Sequence, residues 1–211
     1  KPYCWLILPC VFDNFIDTTG LYMPPAGINT IIMGQEFPLE TFYYQEPTNH
    51  KCIKNFMNQL HEAGAISIWQ DIKNRLPDFK FEMHGSGGDD GMIDGLADIG
   101  DSMRDMGFLF QVKHHGEGFG HIIHNSYSVG RPAIAMLEFY KGKLAEHFLI
   151  DDYSAIILDG KTPEQIIERI RFWAIPENHI KMCQNARGLF EKYVSFDADF
   201  ERFKEFLGKL Q

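Results

Sequence analysis

Apolar positions recur along the chain at two different periods, and the pattern is sharpest from residue 52 onward. Ile53, Phe56, Met57 and Leu60 are spaced as on one helical face. Ile66, Trp69, Ile72 and Leu76 repeat that spacing after Gly64, and Pro77 closes the second run. Residues 79–85 (FKFEMHG) alternate as a strand does and run into the turn GSGGDDG. A helix is predicted over 92–106 and a compact apolar strand over 107–113 (GFLFQVK). A second glycine-rich turn, HHGEGFG, then opens a helix over about 121–129. A short buried strand at 132–136, a helix at 140–148 and a strand at 154–158 follow. Thr162 then caps a helix with Pro163 in its first turn, Gln165 reaching back, and Ile166, Ile167, Ile170 and Trp173 as its buried stripe. Helices over 176–193 and 197–210 finish the chain.

Short apolar strands alternating with amphipathic helices predict an α/β fold, a Rossmann-like parallel sheet with helices on both faces. In such sheets ligands sit beyond the carboxyl ends of the strands. Both glycine-rich turns lead from strand ends into helices, so they are expected to open on one edge. Residues 1–51 follow no clear period. The run CWLILPCV at 4–11 reads as a strand weakened by Pro9, INTIIM at 28–33 is a second apolar run, and the aromatics at 37–44 read as core or interface packing. This stretch is taken as an N-terminal extension, edge or linker, and 52–211 as the folded domain.

Composition narrows the function classes. A formal charge of −9 over 211 residues argues against unspecific binding to nucleic acid or to acidic membranes, because both require a positive face. No apolar run is long enough to span a bilayer, and the opening run lacks the basic start and cleavage site of a signal peptide. The four cysteines form no CxxC pair, so the expectation is a cytoplasmic protein in a reducing compartment.

The candidate chemistry lies in Lys113-His114-His115-Gly116-Glu117-Gly118-Phe119-Gly120-His121. A helix N-terminus offers unpaired N–H groups and a partial positive charge, and glycines ahead of it let a bulky anion approach the backbone. Lys113 and His114 add charge-assisted hydrogen bonds. Glu117 suits sugar hydroxyls better than phosphate. Asn125, eight residues on, is about two helical turns away and nearly on the same face.

The stretch EGFGHIIHNSYSVGRPAIAM resembles the GT-B glycosyltransferases, especially the retaining family 4-like group. There a glycine-rich turn bearing a glutamate opens a helix, a second glutamate follows eight positions later, and a small residue-Gly-Lys/Arg-Pro turn leads into a buried strand. FKFEMHGSG and LAEHFLIDDYSAIILDGKTPEQIIERI resemble flanking parts of the same domain, so the likeness runs from about Cys52 to the C-terminus. It implies the nucleotide-sugar-binding C-terminal domain of a glycosyltransferase that transfers sugar to a hydroxyl acceptor, such as a glycan, with retention. Glu117 and Lys113 are then the candidate catalytic residues. His114, Gly118, Phe119, Gly120, Asn125, Gly85 and Gly87 are the candidate donor-binding residues, and no metal or other cofactor is implied.

The sequence departs from the family in three ways. Asn125 stands in place of the second glutamate, the early Arg and Lys that neutralise phosphates have no counterpart, and residues 1–51 are too few for the acceptor domain. A second domain or a partner chain is therefore an expectation. Blander readings stand beside each residue: Glu117 as a carboxylate favoured by the helix dipole, Asn125 as an exposed helix position, Lys113 as a solvated strand end, and Arg131 as a mere decoration of its turn. Asp89 and Asp90 do not suit phosphate, and His84 reads as a satisfied buried histidine. The histidines at 114, 115, 121 and 124 lack HExxH-like spacing, so a metal site is disfavoured. Two other functions fit the same segment: a non-catalytic nucleotide-sugar-binding module, and a sugar-nucleotide epimerase of the same architecture.

Overall fold

Parallel strands and their crossover helices build the protein, and the computed structural model describes residues 14–20, 27–58, 65–113 and 118–210. Two strands, β1 (Asn14–Asp17) and β2 (Asn29–Ile32), pair in parallel as a small separate sheet. The main sheet is built from β3 (Cys52–Asn55), β4 (Lys80–Met83), β5 (Phe108–Gln111), β6 (Ala133–Ala135) and β7 (Ala155–Ile157), all parallel, in the order β4-β3-β5-β6-β7. Helices α1 (Ile66–Arg75), α2 (Leu96–Asp105), α3 (His121–Ser128), α4 (Pro163–Trp173), α5 (Pro176–Tyr193) and α6 (Phe196–Gly208) complete the chain.

Side chains alternate across the sheet into two cores. Ile53, Phe108, Phe110, Ile134 and Ile156 face one side, where Trp69 and Ile72 of α1 and Ile166, Ile170 and Trp173 of α4 cover them. Leu109, Ala133, Ala135, Ala155 and Ile157 face the other, against Met103 of α2, Ile123 and Tyr127 of α3, and Leu189 and Phe190 of α5. Three alanines on this second face leave room for the aromatic side chains that fill it. Helices on both faces and an all-parallel sheet are the Rossmann-like arrangement expected from the sequence.

Several local expectations are corrected. Of the helical spacing expected over 53–60, Phe56 and Met57 follow a strand without helix, and Leu60 lies outside the described residues. Ile53, which opens that spacing, lies instead in β3, a strand buried over its whole length, whose pattern does not alternate because both faces are covered. Its polar members are paired: Lys54 Nζ meets Glu82 Oε2 at 2.8 Å and Asp105 Oδ2 at 3.1 Å, and Asn55 Nδ2 donates to the Phe110 carbonyl at 2.8 Å. The helix expected from 92 begins only at Leu96, after Gly95 in a positive-φ conformation. The helix expected over 140–148 is two 3-10 turns, Leu137–Phe139 and Leu144–Phe148, separated around Gly142 at φ +76°.

Arg131 does not decorate its turn. It is fully buried, and its guanidinium donates to the carbonyls of Met106 (2.8 Å), Gln45 (2.8 Å), Val129 (3.0 Å) and Arg104 (2.5 Å). Gly130 beside it, at φ +75°, lies so close to Tyr44 that an added Cβ would stand 2.5 Å from the ring. The run at 4–11, with Cys4 and Cys10, lies outside the described residues, while Cys52 and Cys183 are both buried and free.

Residues before β3 pack onto the domain. Phe37 and Phe42 are buried in the second core, with Phe37 edge-on to Phe196 at 5.3 Å. Gly34 N–H donates to Asp199 Oδ2 of α6 at 3.0 Å, and Leu144 N–H donates to the Thr19 carbonyl at 3.0 Å. No helix among the described residues is long and apolar enough to cross a membrane.

Candidate functional site

The sheet order fixes where a ligand can lie. From β3 the chain crosses through α1 to β4 at the sheet edge, then returns through α2 to β5 on the other side of β3. The direction of winding reverses there, and the crevice beyond the carboxyl ends of β3 and β5 is the position such sheets use for ligands. Three candidate segments lie along this carboxyl edge of the sheet: the turn after β4 with Gly85 and Gly87, Lys113 just past β5, and residues 118–120 leading into α3.

The α3 mouth is built by Gly120. It occupies the left-handed region (φ +79°, ψ +50°) as the N-cap residue, a conformation that any side chain with a Cβ resists. Its carbonyl accepts from the N–H groups of Ile123 (3.0 Å) and His124 (3.1 Å), which starts the helix. Gly120 has no side chain to cap α3, and no capping side chain is found among the described residues. The amides of Gly118, Phe119 and Gly120 donate to no acceptor among the described residues. Unpaired N–H groups at a helix N-terminus make a candidate anion site. Gly118 is exposed, and Thr19 lies against it, 3.3 Å from where a Cβ would sit.

Phe119 turns its ring inward. The ring is buried, stacked on the imidazole of His124 with centroids 3.8 Å apart, so only its backbone is presented at the mouth. Lys113 is half-buried at the end of β5. Asn125 is not an exposed helix position. It is 7% exposed, and its Oδ1 finds no hydrogen-bond donor among the described residues. His114 and Glu117 lie outside the described residues, so the geometry places their flanks and not their side chains.

The turn after β4 is a folded unit. Gly85 N–H donates to Gly91 O at 3.0 Å, Gly88 N–H to Gly85 O at 3.0 Å, and Asp90 Oδ2 accepts from Met83 N–H at 2.7 Å. Gly85, at φ +121°, approaches the segment after β3 so closely that a Cβ would stand 2.8 Å from the Met57 carbonyl. Gly87, at φ +81°, faces open space. Asp90 thus serves the turn, in keeping with its unsuitability for phosphate.

Behind this turn lies a charged cluster. Lys54, Lys80 and His84 surround Glu82, with His84 Nε2 at 3.1 Å from Glu82 Oε2 and the His84 ring stacked on Phe56. Burial works to raise the Glu82 carboxyl, but hydrogen bonds from Lys54, Lys80 and His84 outweigh it and hold the group at about 2. His84 is therefore only half satisfied, since its Nδ1 is buried with no partner among the described residues.

Farther along the rim, past β6, the amides of Leu137 and Glu138 are already occupied. Both donate to the carboxylate of Asp159, at 2.7 and 3.1 Å. The sequence pattern gave no sign of this pairing, because the residues stand 22 and 21 positions apart on different loops. Beside the α3 mouth a pocket of about 220 Å3 opens between Phe119, His124, His147, Tyr193 and Arg202. The described residues hold no group of three or more His, Cys, Asp or Glu side chains placed to bind a metal ion.

No protein-family model matches the sequence, and no curated protein does. Solved structures match its fold. The C-terminal domain of LpcC, a glycosyl transferase group 1 family protein from Francisella tularensis, aligns at TM-score 0.57 and 15% identity, over 74% of this chain and 97% of that one. HepE from Anabaena, solved with UDP and glucose, aligns at TM-score 0.70 and 13% identity, over 92% of this chain and 62% of its own. Sucrose-phosphate synthase from Thermosynechococcus elongatus aligns at TM-score 0.71 and 13% identity, over 94% and 58%. The chain therefore has the fold of a GT-B glycosyltransferase C-terminal domain, and it spans about three-fifths of the two longer proteins.

Proposed function

From that fold and that rim we propose that the chain binds a nucleotide-diphosphate sugar and serves the transfer of its sugar to an acceptor hydroxyl, with retention. The observation that carries the reading is the glycine-built mouth of α3, set by left-handed Gly120 at the reversal point of the sheet, where the amides of residues 118–120 meet no acceptor among the described residues. The amides of Gly118, Phe119 and Gly120 hold the pyrophosphate, with positive charge added by Lys113 and His114. Glu117 contacts the donor sugar. Buried Asn125, whose Oδ1 awaits a donor, receives a ribose hydroxyl.

In the reaction the bond from the anomeric carbon to the diphosphate oxygen breaks and a bond to the acceptor oxygen forms. The acceptor proton passes to the leaving diphosphate. Fixed amides and cations stabilise the negative charge that develops on the leaving group, which is electrostatic catalysis without a protein nucleophile. Water must be excluded from the same space, or the donor is hydrolysed. No metal is assigned in this reading. HepE was solved with UDP and glucose, which favours a nucleoside diphosphate as the first probe.

The reading includes a second domain or partner chain that closes the cleft and carries the acceptor. One observation favours it: the longer structural neighbours extend well beyond the aligned part. A chain that binds nucleotide but transfers nothing without that partner is the binding-module form of the same proposal.

The test is a thermal-shift panel of UDP, GDP, ADP and dTDP, followed by transfer and donor-only product analysis. A ligand that binds only the folded state raises its apparent stability. One nucleotide is expected to raise Tm. Glu117→Ala is expected to abolish transfer with Tm unchanged, and Gly120→Val to abolish the nucleotide shift. No shift with any nucleotide, or full activity in both variants, overturns the proposal, and an epimerised donor formed without acceptor replaces it with the epimerase reading.

A further inference from the structure

His124 is buried, with only 2% of its surface exposed, and its ring meets Gly120, Phe119 and Phe148. Its Nδ1 lies 3.0 Å from the carbonyl of Gly120, four residues earlier. A carbonyl only accepts, so Nδ1 carries the proton and donates. One face of the ring stacks on Phe119 (3.8 Å between centroids, 21° between planes), and Phe148 meets it edge-on at 4.8 Å. One side chain thus grips two consecutive residues of the turn, Phe119 by its ring and Gly120 by its carbonyl.

The Gly120 carbonyl already accepts from two backbone amides, and the imidazole adds a third donor. That carbonyl and the Gly120 N–H flank the same left-handed Cα, and the ring clamp on Phe119 holds the residue on the other side of that N–H, so the two contacts together restrict the turn from both ends. Without the third bond, a glycine at φ +79° is free to leave this conformation at little steric cost. Burial holds the imidazole down to about 4, so it stays neutral and does not compete as a cation with groups at the mouth.

We infer that His124 is a positioning residue: it sets the direction of the Phe119 and Gly120 amides at the mouth without touching the ligand. The inference rests on the proposed binding of a pyrophosphate there, and it adds a residue that the site motif does not contain. Preorganised donors act only when their direction is fixed before the ligand arrives, so loosening the turn weakens binding even where the fold survives.

Two variants of the full chain separate this role from a purely structural one. His124→Phe keeps a ring on Phe119 and Phe148 but removes the donor to Gly120. His124→Asn keeps a donor near the Nδ1 position but removes the ring. Calorimetric titration with UDP, or with whichever nucleotide of the panel binds wild type, is read beside Tm. His124→Phe is expected to weaken nucleotide binding by about tenfold with little loss of Tm. His124→Asn is expected to lower Tm while keeping affinity within about threefold of wild type, because its amide restores the bond. Affinity that simply follows Tm, or wild-type affinity in His124→Phe, overturns the inference. Should His124→Phe not fold, a tenfold loss in His124→Asn overturns it alone. Failure of the wild type itself to bind any nucleotide sinks the donor reading first and the inference with it.

Discussion

Arg131 is a charge held by carbonyl oxygens. Four backbone carbonyls are directed at its guanidinium, and burial lowers its basicity. A planar fork with donors in fixed directions suits such a cage, whereas an ammonium group is a point charge. Arg131→Lys is therefore expected to destabilise the fold by on the order of 3 kcal/mol, read as a lower denaturation midpoint at unchanged m-value. The sequence shows Arg131 only as part of a Gly-Arg-Pro turn, because its acceptors at Gln45 and at Arg104 and Met106, the end of α2, are distant along the chain and only the fold assembles them. The glycines were easier to read. Gly120 sits at the start of an apolar helix, where a left-handed residue has a local reason. The orphaned Oδ1 of Asn125 is invisible without coordinates, since burial is a property of neighbours.

Among the elements, those whose ends carry their own chemistry were legible. Helix α4 has the full capping box: Thr162 Oγ1 accepts from Gln165 N–H at 3.3 Å, and Gln165 Oε1 accepts from Thr162 N–H at 2.9 Å. Thr162→Ala is expected to cost about 1 kcal/mol, measured by urea denaturation, with nucleotide binding unaffected. Helix α3 is the opposite case, a helix left uncapped where a ligand is proposed to complete it. Strand β3 was misread because four consecutive buried residues carry no period, and the apolar residues just after it happen to continue a helical spacing. The 3-10 turns at Leu137–Phe139 and Leu144–Phe148 were misread because apolar spacing alone does not separate a long helix from two short turns.

The whole molecule shows its balance of charge in its response to acid. Burial, first of all, depresses both His124 and His179 to about 4 in the folded protein. Their unfolded value is near 6.5, so between pH 6.5 and 4 the unfolded chain binds more protons. The stability they confer is complete above pH 6.5 and is lost as pH falls through 4. The depressed carboxyl of Glu82 adds a second loss, from about 4.5 down to about 2. Tm is expected to fall steadily from pH 6.5 to 4, and the proton uptake on unfolding to drop by about one in His124→Phe. A flat Tm over that range contradicts the assignment. The carboxyl rim is graded as well. Above β6, Asp159 already fills the amides of Leu137 and Glu138 with a negative charge, while above β5 the amides of residues 118–120 meet no acceptor among the described residues. On the proposed reading, a dianion drifting along that rim is turned away from one station and drawn to the next, so the protein's own carboxylate sorts its visitors before any of them has docked.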